Sequence, residues 1–260
     1  MSRPAESGAT LRGERISLYF GGIAALQDVH FTVRQGTLHA VIGPNGAGKT
    51  SLFNVITGFY RPNAGDVYLE GARLSGLAPH RVARAGIVRT FQNLEIFSNM
   101  TALENVVTGG HLHGRYGAVD SLLRTPRYFR RERELRDRAE SWLDFVGLSH
   151  VRDTRASQLP YGSQRLLEIA RALCAQPRIL LLDEPAAGLN LKETRALGDL
   201  VRRIVDRGTT VLLVEHDMDL VMNVSDRVLV MNFGEVIADG TPGEVQRDRA
   251  VVAAYLGHEE

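Results

Sequence analysis

Ala40-Val41-Ile42-Gly43-Pro44-Asn45-Gly46-Ala47-Gly48-Lys49-Thr50-Ser51-Leu52-Phe53-Asn54-Val55-Ile56 reads as three pieces in succession: an apolar strand, a glycine-rich turn and a helix with an apolar face. Residues 43–50 fit the pattern G-x-x-x-x-G-K-[ST], and strand, turn, helix is the context in which that pattern means a phosphate-binding loop. Glycines let the backbone curl until successive N–H groups face one point, and the helix N-terminus adds its positive end. The loop therefore predicts a nucleotide site lined by Asn45, Gly46, Gly48, Lys49, Thr50 and Ser51. Lys49 would bring a compact charge to the terminal phosphates, and the Thr50 hydroxyl could ligate Mg2+. Of the 31 basic residues only Lys49 and Lys192 are lysines, so a lysine here argues for a space too narrow for a guanidinium.

Working outward, Val29-His30-Phe31-Thr32-Val33 and Asp66-Val67-Tyr68-Leu69-Glu70 alternate apolar with polar, the pattern of half-exposed antiparallel strands. Ile179-Leu180-Leu181-Leu182, Val211-Leu212-Leu213-Val214 and Val228-Leu229-Val230-Met231 are continuously apolar, like Ala40-Val41-Ile42, as strands of a parallel sheet covered on both faces are. The fold expected is α/β, with a mostly parallel core sheet and an N-terminal antiparallel β subdomain. A helical subdomain is expected over about residues 93–164, where no buried-strand pattern occurs and Thr101 with Glu104 forms a capping box. A longer helical pattern runs from about Pro126 to Val146, and Asn190 with Glu193 and Thr241-Pro242-Gly243-Glu244 mark further helix starts. Residues 1–10 are small and polar and are expected as a flexible tail, with a single domain over 11–257.

The chain has 260 residues, 44% hydrophobic, enough for a substantial core. Its 31 basic residues nearly balance 30 acidic ones, so nothing demands a nucleic-acid partner. Eight arginines between Arg115 and Arg138 are interleaved with Asp120, Glu132, Glu134 and Asp137, which describes a solvated helix with mutual ion pairs. No apolar run approaches the roughly 20 residues of a membrane-spanning helix, and no secretory leader is evident. A cytosolic chain is expected. The single cysteine, Cys174, lies in a helical pattern and reads as a core thiol.

Two further strand ends carry polar groups. Arg178-Ile179-Leu180-Leu181-Leu182-Asp183-Glu184-Pro185 is a buried strand closing on two acids. Asp183 could hold Mg2+, and Glu184, beyond the carboxyl edge of the sheet, could orient and deprotonate an attacking water. His216 follows Val211-Leu212-Leu213-Val214-Glu215 and could hydrogen-bond a terminal phosphate. Gln92, after Ile87-Val88-Arg89-Thr90-Phe91, could contact Mg2+ or the water.

Leu159-Pro160-Tyr161-Gly162-Ser163-Gln164-Arg165 and the helical pattern after it resemble the signature motif of ABC ATPases. With the phosphate loop, Gln92, Asp183-Glu184, the turn Ala187-Gly188-Leu189-Asn190 and His216, the family's motifs occur in its order over about residues 11–255. More narrowly, Phe53-Asn54-Val55-Ile56-Thr57-Gly58-Phe59-Tyr60 and Asp183-Glu184-Pro185-Ala186-Ala187-Gly188-Leu189-Asn190 resemble the ATPase subunits of bacterial branched-chain amino acid importers. The resemblance implies a P-loop ABC cassette that hydrolyses ATP with Mg2+, with Glu184, His216 and Gln92 catalytic and Thr50, Gln92 and Asp183 near the metal. It implies that Phe20 stacks on adenine, with Tyr19 a competitor, and that Tyr161, Gly162 and Ser163 reach the phosphate of a second copy. It also implies partners: integral-membrane permease subunits, a second ATPase subunit as homo- or heterodimer, and indirectly a solute-binding protein, at the cytoplasmic face of the cell membrane. Leu94, Ile96, Phe97 and Met100 would then form an apolar groove for a permease helix.

One departure stands out. The general motif has Ser, Gly, Gly, Gln after its leucine, and this chain has Pro160, Tyr161, Gly162 and Ser163. Pro160 has neither hydroxyl nor N–H to give a phosphate, so backbone groups from Gly162 onward must carry that contact. Importers of urea or amides, lipid exporters and soluble ABC ATPases on nucleic acid or ribosomes are the alternatives. The last generally carry two cassettes or a long coiled coil, and this chain shows one cassette.

Overall fold

A computed structural model describes residues 9–90, 94–113 and 126–256. They form two compact units, one built from the chain up to Ile87 and from Arg178 onward, the other from Val88–Pro177.

In the first unit, β1 (Ala9–Phe20), β2 (Ile23–Arg34), β4 (Ala64–Leu69) and β5 (Ala72–Arg73) make an antiparallel sheet in the order β2-β1-β4-β5. β2 is longer than the alternating stretch Val29–Val33 announces, and β1 is a strand for which the sequence reading named no stretch. Register shifts along their pairing, with Arg15 at φ 48° and Asp28 at φ 47°, break the two-residue period on which the sequence reading relied. The expected parallel core is present. β3 (Leu38–Ile42), β7 (Ile179–Asp183), β8 (Thr210–Val214), β9 (Arg227–Asn232) and β10 (Glu235–Gly240) form a sheet that β6 (Ile87–Arg89) extends at one edge. Its order is β10-β9-β3-β8-β7-β6, and β10 alone among β3 and β7–β10 pairs antiparallel.

Every residue of β3, β7 and β8 is buried. Alternate side chains serve opposite faces. Val41, Leu181, Leu212 and Leu229 join a core with Leu52 and Phe53 of α1 (Lys49–Ile56) and with Leu11, Ile16 and Leu26 of the antiparallel sheet. Ala40, Ile42, Val228 and Val230 face the other way, onto Val221 of α7 (Met218–Val224), Val245 of α8 (Pro242–Val245) and Val251 of α9 (Arg249–Leu256). Each face removes apolar side chains from water, at about 1.5–3 kcal/mol for a fully buried one. Because β3, β7 and β8 are parallel, with Val41 and Asp183 both registered on Val214, their carboxyl ends share one edge.

The helix starts read from sequence hold. Asn190 caps α6 (Leu191–Asp206), accepting from the N–H groups of Lys192 and Glu193 at 3.0 Å each. In the second unit, Thr101 caps α3 (Ala102–Gly110), with Glu104 Oε2 accepting from the Thr101 N–H at 2.8 Å. α3, α4 (Pro126–Phe145) and α5 (Tyr161–Cys174) pack on one another, and Val106, Leu143, Leu167 and Ile169 on them are buried. Along α4, Arg130 pairs with Glu134 at 3.9 Å and Arg136 with Glu140 at 3.7 Å, both exposed. Cys174 is fully buried, and burial pushes its thiol up to about 11, as befits a core residue. α3 and α5 touch closely at Gly109, where a Cβ would lie 2.0 Å from the Arg171 carbonyl oxygen. Backbone cannot yield as a side-chain tip can, so Gly109→Ala should destabilise the chain by about 1–3 kcal/mol in urea unfolding. An unchanged midpoint would contradict this close contact.

Candidate functional site

The glycine-rich turn leaves the end of β3 and runs straight into α1. Gly43 and Gly48 have φ of 153° and 100°, and a Cβ on them would meet the carbonyl oxygens of Met231 at 2.1 Å and Ala25 at 2.6 Å. Side chains are excluded there both by conformation and by space. Gly46, at φ 80°, is exposed at the crest of the turn beside Asn45. A second turn holds the loop from outside. The Gly234 N–H, between β9 and β10, donates to the Ala47 carbonyl at 3.0 Å, and the Gln27 N–H of β2 donates to the Gly234 carbonyl at 2.8 Å.

Lys49, Thr50 and Ser51 open α1, whose N-cap Gly48 supplies no side-chain cap and whose first turn holds no acidic residue. The N–H groups of a first turn have no acceptor inside the helix, so this end attracts an anion. Lys49 is 6% exposed, and its Nζ donates to the carbonyl oxygens of Gly43 at 2.7 Å and Pro44 at 2.9 Å. Burial lowers its pKa, and the charges of Glu184 and Asp183 oppose that fall. The loop lysine and the acids at the end of β7 thus come together, as their shared sheet edge requires.

Asp183 is buried at the end of β7. Glu184 follows with φ 48°, a left-handed backbone unusual outside glycine, and its N–H donates to the Val214 carbonyl at 2.9 Å. Its Oε1 lies 2.7 Å from Nε2 of His216, a half-exposed side chain that follows β8. A carboxylate within hydrogen-bond reach of an imidazole can accept a proton from water while its partner keeps it oriented. Glu184, the turn after it, Glu215 and His216 border a cleft of about 750 Å3 that extends to Asn190 and Lys192.

Mg2+ fits this donor set. The described residues hold no cluster of three or more His, Cys, Asp or Glu, which argues against a cage built from side chains alone. One carboxylate, Asp183, and one hydroxyl, Thr50, both oxygen donors, suit a hard cation that completes its shell with phosphate and water.

Phe20, at the end of β1, is half-exposed and stands edge-on to Tyr60, with centroids 5.2 Å apart and planes at 75°. Tyr19, the competitor, points its N–H to Asn63 Oδ1 at 2.8 Å and is equally exposed. Tyr161, Gly162 and Ser163 open α5 in the second unit, with Pro160 as N-cap in extended backbone at φ −56° and ψ 152°. Pro160 contributes no cap, and Gly162 and Ser163 fall at helix positions whose N–H groups point out of the helix end. Gln92 lies outside the described residues.

Two residues beside the site escaped the sequence reading. Tyr60 backs Phe20, and the quoted aromatic pair Phe59-Tyr60 after α1 was the available signal. Glu215 is 4% exposed and accepts from the Ala186 N–H at 2.7 Å and the His216 N–H at 3.1 Å. A charged residue closing an otherwise apolar strand was its signal.

Comparison with known proteins is consistent along the whole chain. A family model described as "ABC transporter" matches residues 26–187, and one described as "Branched-chain amino acid ATP-binding cassette transporter" matches residues 235–260. The chain is 46% identical over 260 residues to the high-affinity branched-chain amino acid transport ATP-binding protein BraF of Pseudomonas aeruginosa, covering 99% of each chain. It superposes with TM-score 0.84 and 36% identity on the crystal structure of the ADP conformation of MJ1267, an ATP-binding cassette of an ABC transporter, covering 96% of this chain and 99% of that one. It also matches the dimeric post-hydrolysis structure of the cassette MJ0796 bound to ADP and Pi, at TM-score 0.75 and 26% identity, covering 89% and 98%.

The tight seating of Lys49 carries a prediction. Both Lys49→Ala and Lys49→Arg should weaken binding of a fluorescent ATP analogue at least about tenfold, a loss of about 1.4 kcal/mol or more. Arginine that binds as well as lysine would contradict the narrow-loop reading.

Proposed function

The chain belongs to the ABC transporter family, and from that premise we propose that it is the ATP-hydrolysing subunit that powers an importer of branched-chain amino acids. The observation that carries the reading is the convergence at one sheet edge of buried Lys49, Asp183 and the Glu184–His216 pair beside a phosphate loop. The match of residues 235–260 to the branched-chain amino acid cassette model, and 46% identity to BraF, support the solute class.

The roles follow from the chemistry of each group. Phe20, backed by Tyr60, stacks on adenine. The N–H groups of residues 46–51 and the Lys49 ammonium hold the phosphates. Thr50 and Asp183 would hold Mg2+, which would supply positive charge against the charge developing on the phosphates. Glu184 orients the attacking water and takes its proton, and His216 hydrogen-bonds the terminal phosphate. Gln92 contacts the metal or the water.

The nucleotide is shared. Two such subunits, alike or related, each present the phosphate loop of one to Tyr161, Gly162 and Ser163 of the other, so that the N-terminus of α5 meets the terminal phosphate. Backbone donors from Gly162 onward replace the side-chain contact that Pro160 cannot make. The pair stays closed while that phosphate remains and opens after hydrolysis. No helix among the described residues is long and apolar enough to cross a membrane. Integral-membrane permease subunits therefore supply the passage, with a solute-binding protein delivering the amino acid, and the chain works peripherally at the cytoplasmic membrane face. Exposed Phe97 and Met100, with Phe97 under the Arg171 guanidinium at 5.6 Å, form part of the permease contact.

The reading is tested by Mg2+-dependent ATP hydrolysis of wild type and Glu184→Gln, with light scattering to follow association. Removing the base should lower turnover about 100-fold or more while ATP still binds and pairs the subunits. A Glu184→Gln variant that hydrolyses at the wild-type rate would overturn the assignment. Phe97→Glu should leave ATP binding intact and uncouple hydrolysis from transport in reconstituted vesicles. Normal transport by that variant would refute the contact.

A further inference from the structure

We propose that Glu215 is a positioning residue for ATP hydrolysis: its buried carboxylate clamps the turn after β7 and so holds the strained backbone that aims Glu184. This rests on the role given to Glu184 above.

Glu184 sits at φ 48° without glycine's freedom. A residue in that region returns to ordinary backbone unless its surroundings hold it. Besides the Ala187 N–H, which donates to the Glu184 carbonyl at 3.1 Å within the turn, consecutive residues at the end of β8 supply holds from outside it. The Glu184 N–H donates to the Val214 carbonyl at 2.9 Å, and the Ala186 N–H donates to Glu215 Oε1 at 2.7 Å. Pro185 between them has no N–H, so the clamp on the far side of Glu184 has to fall at Ala186. The other Glu215 oxygen accepts from the His216 N–H at 3.1 Å. One carboxylate thereby fixes the backbone on both partners of the 2.7 Å contact between Glu184 Oε1 and His216 Nε2.

Burial sets the role apart from catalysis. Glu215 borders the cleft but is only 4% exposed, and both its oxygens are engaged by backbone N–H groups, so it acts through Glu184 and His216. A buried carboxylate is unfavourable unless hydrogen bonds compensate it, and here burial raises its pKa while the N–H groups of Ala186, His216 and Asp217 oppose the rise. An apolar side chain would close the strand with less penalty but could not receive the Ala186 N–H.

The test compares Glu215→Ala and Glu215→Gln with wild type and Glu184→Gln, in whichever assembly wild type turns over, alone or with its membrane subunits. Readouts are kcat, KM and binding of a fluorescent ATP analogue. Glu215→Ala should lose at least about tenfold in kcat with analogue affinity within about twofold, because the phosphate loop is untouched. Glu215→Gln, which keeps an oxygen for the Ala186 N–H, should recover kcat to within about threefold of wild type. Wild-type kcat in Glu215→Ala overturns the proposal, and so does parallel loss of kcat and affinity that glutamine fails to rescue. If the alanine variant does not fold, Glu215→Gln decides alone: turnover as low as that of Glu184→Gln refutes the clamp. Activity surviving in Glu184→Gln would instead sink the underlying reading, so the two failures are distinct.

Discussion

A lysine ammonium held almost wholly out of water, hydrogen-bonded to two loop carbonyls and facing two strand-end carboxylates, sets the conditions that the rest of the first unit meets. An isolated charge in such a place would be costly. It is sustained because β3 lies at the middle of a parallel sheet, with β8 on one side and β9 on the other, so that loops from several strand ends converge on it. The same arrangement leaves no room for side chains where Gly43 and Gly48 pass the backbone of β9 and β2. Sheet order, loop composition and the choice of lysine are thus linked by one requirement, a dense shell of N–H donors and one compact cation aimed at phosphate.

The acid at Glu184 shows the opposite strategy. Where the phosphate loop is built from residues free to adopt its shape, Glu184 is forced into a left-handed conformation and held there by neighbours on β8. Strain of this kind persists only where the surroundings overdetermine it, and it places the carboxylate against His216 rather than along the strand. The second unit also has a helix start without a side-chain cap. α5 opens with Tyr161, Gly162 and Ser163 after a proline that fills the cap position without capping it.

Much of this was legible in the sequence. Continuous aliphatic runs disclosed the buried strands, because a strand covered on both faces has no polar positions to spare, and the capping boxes at Thr101 and Asn190 disclosed their helices to the residue. Asp183, Glu184 and His216 were legible as candidates because polar groups closing apolar strands stand out, and Lys49 because it follows a glycine-rich turn between strand and helix. The long β1–β2 pair was legible only in part, since bulges and left-handed residues interrupt the alternation. Glu215 and Tyr60 were missed for a different reason. Each acts through a neighbour, and a hydrogen bond from residue 186 to residue 215, or a ring contact from residue 20 to residue 60, has no local pattern to betray it.

In the proposed pair, one copy's Lys49 and another's α5 N-terminus enclose the same terminal phosphate. The most direct measurement is the structure of the Glu184→Gln chain with ATP and Mg2+. The expected result is a pair of subunits with the terminal phosphate between Lys49 of one copy and the N–H groups of Gly162 and Ser163 of the other. ATP bound at Lys49 of a lone subunit, or paired copies whose Gly162 and Ser163 stand away from the phosphate, would contradict it.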